Sequence, residues 1–184
     1  MNNIIAIVGM AGAGKTEASV FFKEKGTSIL RFGSVIDDGL RKEGLLWSPE
    51  NNTYYREKIR KELGMAAVAV KMMPKIEEAI SRKDKIVLDG LYSWEEYTFL
   101  KKRFENLILL CIYASPSIRY SRLTNRKERT FTIKEARERD IHELEALNKG
   151  GPIALSDYLI KNETTKEDLH KELEVFLRMV DIND

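Results

Sequence analysis

Cysteine is nearly missing from this sequence: Cys111 is the single one in 184 residues. No disulfide can form within the chain, which excludes the stapled scaffold of small secreted domains. Cys111 lies in the apolar run Leu107-Ile108-Leu109-Leu110-Cys111-Ile112-Tyr113 and reads as a buried structural thiol, in keeping with a reducing cytoplasm. Histidine is scarce too. His142 and His170 stand in charged stretches, with no metal-ligand spacing between them. Long hydrophobic runs are absent: the N-terminal apolar run is too short for a signal peptide or a membrane span, and no charged leader precedes it. A net charge of +2 supplies no global field for DNA or a membrane, and no aromatic-basic platform for RNA interrupts the chain. Repeats and low-complexity tracts are missing as well, and nothing in the pattern sets an oligomeric state. Length favours one domain, residues 1–184, with enough chain to bury a core. Charged residues at 33% suit a protein with many exposed helical faces.

What is present begins at Gly9-Met10-Ala11-Gly12-Ala13-Gly14-Lys15-Thr16, which fits GxxxxGK[ST]. The run Ile4-Ile5-Ala6-Ile7-Val8 before it reads as a buried strand, and Glu17 to Glu24 after it reads as a helix. Strand, glycine loop and helix together make this a phosphate-binding loop. Glycines let the backbone curl and bring its N–H groups to the phosphates, while the helix points its positive end at the same anion. Lys15 is expected on the β and γ phosphates, and the Thr16 hydroxyl on Mg²⁺.

Further strands are read at 27–32, 85–88, 107–113 and 155–160, alternating with helices. Ser34 is expected to cap the second helix, with Asp37 and Asp38 in its first turn. Residues 45–52 read as a loop, with Trp47 either packing there or lining a cleft. The helix from Thr53 is interrupted at Gly64, and the next is expected to kink or break at Pro74. Ser93 reads as an N-cap, and Thr132 with Glu135 as a capping box. Gly150-Gly151-Pro152 stops that helix, and Leu169, Leu173, Phe176, Leu177 and Val180 mark the buried stripe of the last one. The alternation implies an α/β fold with a five-stranded, parallel, doubly wound sheet.

Three features narrow the chemistry. Asp89 closes a strand, where it could hold Mg²⁺ through water or take the proton of an attacking hydroxyl. Basic residues crowd between 119 and 140: Arg119, Arg122, Arg126, Lys127, Arg129, Arg137 and Arg139. They suit either a lid that closes over a phosphate chain or a solvated helix paired with Glu135, Glu138, Glu143 and Glu145. The long helical excursion at 34–82 leaves room for an acceptor substrate.

In this order, Gly33-Ser34-Val35-Ile36, Arg60 to Met65, Leu88-Asp89-Gly90, Tyr113-Ala114-Ser115-Pro116, Arg139-Asp140 and Asp157 to Asn162 join the loop to form a resemblance. The chain resembles the P-loop nucleoside monophosphate kinase superfamily, in particular adenylate-kinase-related and dephospho-CoA-kinase-like proteins, and among them a group of archaeal nucleotide kinases. The resemblance implies a three-layer α/β/α P-loop NTPase fold, with an acceptor-binding helical region at 34–82 and a lid at 119–140. It implies ATP and Mg²⁺ and a nucleotide-like acceptor such as a nucleoside monophosphate or dephospho-CoA. Lys15, Asp89 and Arg126 would act in catalysis, Thr16 and Asp89 on the metal, and Arg122 or Arg126, with Arg139, on donor phosphates. Asn162 would border the adenine. Two acceptor arginines of the adenylate-kinase-like pattern are replaced here, by Asp37 and Tyr92. A nucleotide-driven switch or accessory ATPase acting on a protein or RNA is the alternative reading.

Overall fold

A computed structural model describes residues 4–126 and 130–182; Lys127 and Arg129 of the basic segment lie outside the described residues. Five strands, β1 (Ile4–Val8), β2 (Ser28–Arg31), β3 (Ile86–Asp89), β4 (Leu107–Tyr113) and β5 (Tyr158–Lys161), form one sheet in the order β2-β3-β1-β4-β5. Every pairing is parallel. Around it run α1 (Lys15–Glu24), α2 (Gly33–Lys42), α3 (Pro49–Leu63), α4 (Ala67–Ser81), α5 (Trp94–Lys101), α6 (Pro116–Thr124), α7 (Ile133–Glu145), α8 (Gly150–Ala154) and α9 (Lys166–Ile182).

Side chains of successive strand residues point to opposite faces, and that period divides the core in two. Ile4, Ala6 and Val8 of β1, Ile86 and Leu88 of β3, and Leu107, Leu109 and Cys111 of β4 pack with Phe32, Ile36, Met72 and Ile76 on one face. Ile5, Ile7, Val87, Leu110 and Ile112 pack on the other with Phe21 and Phe22 of α1 and Leu169, Leu173, Phe176 and Val180 of α9. Covered on both faces, the strands read as continuous apolar runs. Cys111 is buried, and burial pushes its thiol up to about 11. No helix among the described residues is long and apolar enough to cross a membrane.

Several local expectations change. The helix α2 begins at Gly33, and the Ser34 hydroxyl donates back to Arg31 O at 2.7 Å instead of capping. Asp37 and Asp38 therefore fall beyond the first turn, and Asp38 pairs with Lys75 at 2.7 Å. Part of the expected loop at 45–52 is the start of α3: Ser48 accepts from Asn51 N–H, and Pro49 stands at the helix entry, where a missing N–H costs nothing. In α4 the helix runs through Pro74, which is exposed, so that the carbonyl it leaves unbonded can turn to water. Helix α7 ends at Glu145 with Ala146 as its cap, ahead of the glycines expected to stop it, and Gly150, Gly151 and Pro152 instead lie in the short helix α8. The caps at Ser93 and at Thr132 with Glu135 form as read.

Candidate active site

Strand β1 lies between β3 and β4, and the chain leaves it for β2 on one side before returning to β4 on the other. The carboxyl ends of the strands open a crevice at such a switch point. Gly9 follows β1 directly, and Asp89 ends β3 opposite Ile7 and Arg31.

The loop is held from three sides. Gly9 adopts φ 141°, and a Cβ there would strike Ile112 O of β4. Gly14 adopts φ 106°, and a Cβ there would strike the amide of Asn162. Asn162 is buried, and its Nδ2 donates to Ala13 O at 2.8 Å, so its side chain braces the loop. From α6, Arg119 donates through Nη1 to Ala11 O at 3.0 Å and through Nε to Ala114 O at 3.0 Å. Its fork grips Asp140 of α7 at 2.9 and 2.6 Å, and Tyr120 OH adds a bond to the same carboxylate. Arg119 is 4% exposed. Its charge is spent inside the protein.

Helix α1 starts straight after Gly14 with no side-chain cap, so its first N–H groups face the loop mouth unserved by a side chain. Lys15 Nζ donates to Gly9 O at 2.8 Å and Met10 O at 3.0 Å, which folds it over the loop. Burial, and then the nearby Lys149 charge, push its ammonium down to about 7. Burial also raises the Asp89 carboxyl above the usual carboxylate range, against the pull of Lys15, Ser19 and Arg31.

Two cavities of about 800 Å³ each meet at the loop, and Gly12, Lys15, Thr16 and Arg126 line both. The first is lined by Asp89, Arg31, Tyr92, Arg139, Glu143 and Lys149, and the second by Gly14, Arg122, Asn162, Thr164 and Lys166. Arg122 Nη1 is enclosed without a hydrogen-bond partner among the described residues, and its Nη2 reaches Asn162 Oδ1 only at 3.5 Å. That orphaned donor, the glycine cradle and the uncapped helix fit a polyphosphate. Thr16 and Asp89 offer hard oxygen donors in the first cavity, and no cluster of three metal-ligating side chains exists among the described residues. Mg²⁺ is held in this way in nucleotide sites, by few protein oxygens together with phosphates.

Of the expected site residues, Lys15, Thr16, Asp89, Ala11, Gly12, Arg126 and Arg139 line the first cavity, and Arg122, Gly14 and Asn162 the second. Gly9, Met10 and Ala13 shape the loop without lining either. Trp47 is 46% exposed and lines neither. His142 is exposed; His170 Nε2 sits 3.1 Å from Glu17 Oε1.

Sequence reasoning missed the wall behind Arg139. Tyr92, standing where an arginine was expected, has the Arg56 guanidinium 5.4 Å and the Lys149 ammonium 5.1 Å from its ring centroid. Positive charge reaches that position from α3 and from the residue before α8. Glu143, expected on a solvated helix face, is 5% exposed. Lys134 and Glu138 of the same helix form an exposed pair at 3.8 Å.

A family model described as an AAA domain matches residues 5–143. The UPF0200 protein of Pyrococcus horikoshii is 34% identical over 175 residues, 93% of this chain and 94% of that one. Among solved structures, the shikimate kinase from Bacteroides thetaiotaomicron superposes with a TM-score of 0.61 at 15% identity, over 96% of this chain and 98% of that one. The dephospho-CoA kinase from Campylobacter jejuni superposes with a TM-score of 0.61 at 14% identity, over 98% of both chains. At such identities the likeness carries the fold, a P-loop kinase architecture. The chain belongs to the UPF0200 proteins and, through residues 5–143, to the AAA domain family.

Proposed function

We propose that this protein is an ATP-dependent small-molecule kinase that transfers a γ-phosphoryl group to an anionic, nucleotide-like acceptor. The observation that carries the reading is the pair of cavities joined at Lys15, Thr16 and Arg126. A donor on the Asn162 side and an acceptor on the Asp89 side would meet at one phosphate position. Transfer forms a bond from the acceptor oxygen to γ-phosphorus, breaks the bond to the bridging oxygen, and releases ADP. Backbone N–H groups of the loop and Lys15 hold the phosphates, and Arg126 and Arg139 neutralise charge on the transferred group. Where the acceptor offers a hydroxyl, Asp89, whose carboxyl burial raises, would accept its proton; an ionised phosphate acceptor needs no base. Thr16 and Asp89 would hold Mg²⁺, which when bound supplies further charge neutralisation. Arg56 and Lys149 around Tyr92 supply the cationic wall that the replaced arginines would have given.

The test is transfer of labelled γ-phosphate from ATP to a panel of nucleoside monophosphates, dephospho-CoA and hydroxy acids. Transfer to one class, lost in Asp89→Asn while ATP binding persists, is the expected result. Tight ATP binding with transfer to none of them would favour a nucleotide-driven switch instead.

A further inference from the structure

Glu143 is a buried carboxylate with a cation on each oxygen. Oε1 accepts from Arg139 Nε at 3.0 Å, and Oε2 accepts from Lys149 Nζ at 2.6 Å. Arg139 stands one helical turn earlier on α7, whereas Lys149 directly precedes α8. Lys149 is 1% exposed, and its ammonium lies against the Tyr92 ring. Tyr92 is fixed in turn, because its N–H donates to Glu96 Oε2 at 2.8 Å. The network thus ties α7 to the turn that follows Asp89. Arg139 uses only Nε in it: its two terminal nitrogens make no hydrogen bond among the described residues. All four side chains line the cavity that holds Lys15 and Asp89.

A buried ion pair is a poor device for stability, since apolar side chains of the same volume often serve as well or better. Its place on this cavity wall points to another use. A carboxylate bound to Nε fixes the plane of a guanidinium and leaves the Nη fork free for a phosphoryl group. Alone, that carboxylate would bring negative charge into a polyphosphate site. With Lys149 on its second oxygen, the Arg139–Glu143–Lys149 unit keeps one net positive charge.

We propose that Glu143 and Lys149 are positioning residues that hold Arg139 by Nε, so that Nη1 and Nη2 meet the transferring phosphoryl group. The proposal rests on the reading of Arg139 given above. A positioning role makes a difference to the transition state, not to the nucleotide ground state. The experiment compares affinity for Mg–ADP with affinity for Mg–ADP–aluminium fluoride, a mimic of the group in flight. In Lys149→Met and Glu143→Gln, affinity for the fluoride complex should fall about tenfold or more while that for Mg–ADP stays within about twofold. Arg139→Ala should show the same loss, and Arg139→Ala/Lys149→Met no larger one, because residues acting as a unit are not additive. Lys149→Arg should recover part of it. Removal of one partner from a buried pair can unfold a protein, so the paired variant Glu143→Met/Lys149→Met, which removes both enclosed charges and leaves only the part-exposed Arg139, is the control for folding and should show the same loss. Wild-type affinity for the fluoride complex in Lys149→Met and in the paired variant, or losses that add to that of Arg139→Ala, would overturn the proposal while the nucleotide reading stands. Absence of Mg–ADP binding in the wild type would overturn both.

Discussion

Removing the ammonium of Lys15 takes from the loop the cation folded over its carbonyls. Lys15→Met is expected to abolish measurable association with magnesium and ATP by calorimetry while the melting temperature holds near the wild-type value, since the lysine bonds only two loop carbonyls. Arg119 sits at the opposite extreme. It is enclosed, and its bidentate partner Asp140 is 7% exposed. Arg119→Met leaves that carboxylate uncompensated and should cost about 3–5 kcal/mol in urea unfolding, with part recovered in Arg119→Met/Asp140→Asn. Lys15 was legible because the P-loop spacing names its partner. The partners of Arg119 lie at Ala11, Ala114 and Asp140, and no helical period connects them.

At the scale of an element, helix α5 shows a cap and a titration bound together. Ser93 Oγ accepts from Glu96 N–H at 3.1 Å, and Glu96 Oε2 accepts from Tyr92 N–H. Glu96 is 0% exposed, and burial pushes its carboxyl from the ordinary 4.5 up to about 7. A raised acid means that the folded state keeps a proton that the unfolded chain has already released. Stability therefore falls as pH rises between 4.5 and about 7 and then levels off. Urea midpoints at about pH 5 and about pH 8 should show this decline in the wild type and a smaller one in Glu96→Gln, which has no proton to lose. The cap was readable from Ser93 and Glu96 standing three apart, but the burial that moves the titration depends on helix α4 and the rest of the apolar face packed beside α5. Helices α2 and α3 give the converse lesson. Their first residues departed from the reading because Ser34 bonds backward to Arg31, and because Ser48 and Pro49 start a helix where asparagines suggested a loop.

For the whole molecule, nucleotide and fold are linked through the loop, since Arg119, Asn162 and the end of β4 all press on it. A ligand that binds only this assembled form stabilises it by mass action, by about 2.7 kcal/mol at one hundred times its dissociation constant. Magnesium with ATP or ADP should therefore raise the melting temperature in a concentration-dependent way. The rise should vanish in Gly14→Ala, where a side chain would meet the Asn162 amide at a positive φ. A screen of acceptors added on top of the nucleotide would then show which class fills the Asp89 cavity.

Residues near one another in the chain settled most of the architecture. The apolar run at 107–113, the strand-loop-helix at 4–24 and the capping box at Thr132 are each decided by hydrogen bonds and periodicities within a few residues, so a sequence states them directly. Sheet order, the clamp of Arg119 on the loop, and the wall of Tyr92, Glu143 and Lys149 join residues from 21 to 108 positions apart or on separate elements. No local pattern encodes such pairs. They exist because burial of a charge demands a partner, and only the folded chain decides which partner is within reach.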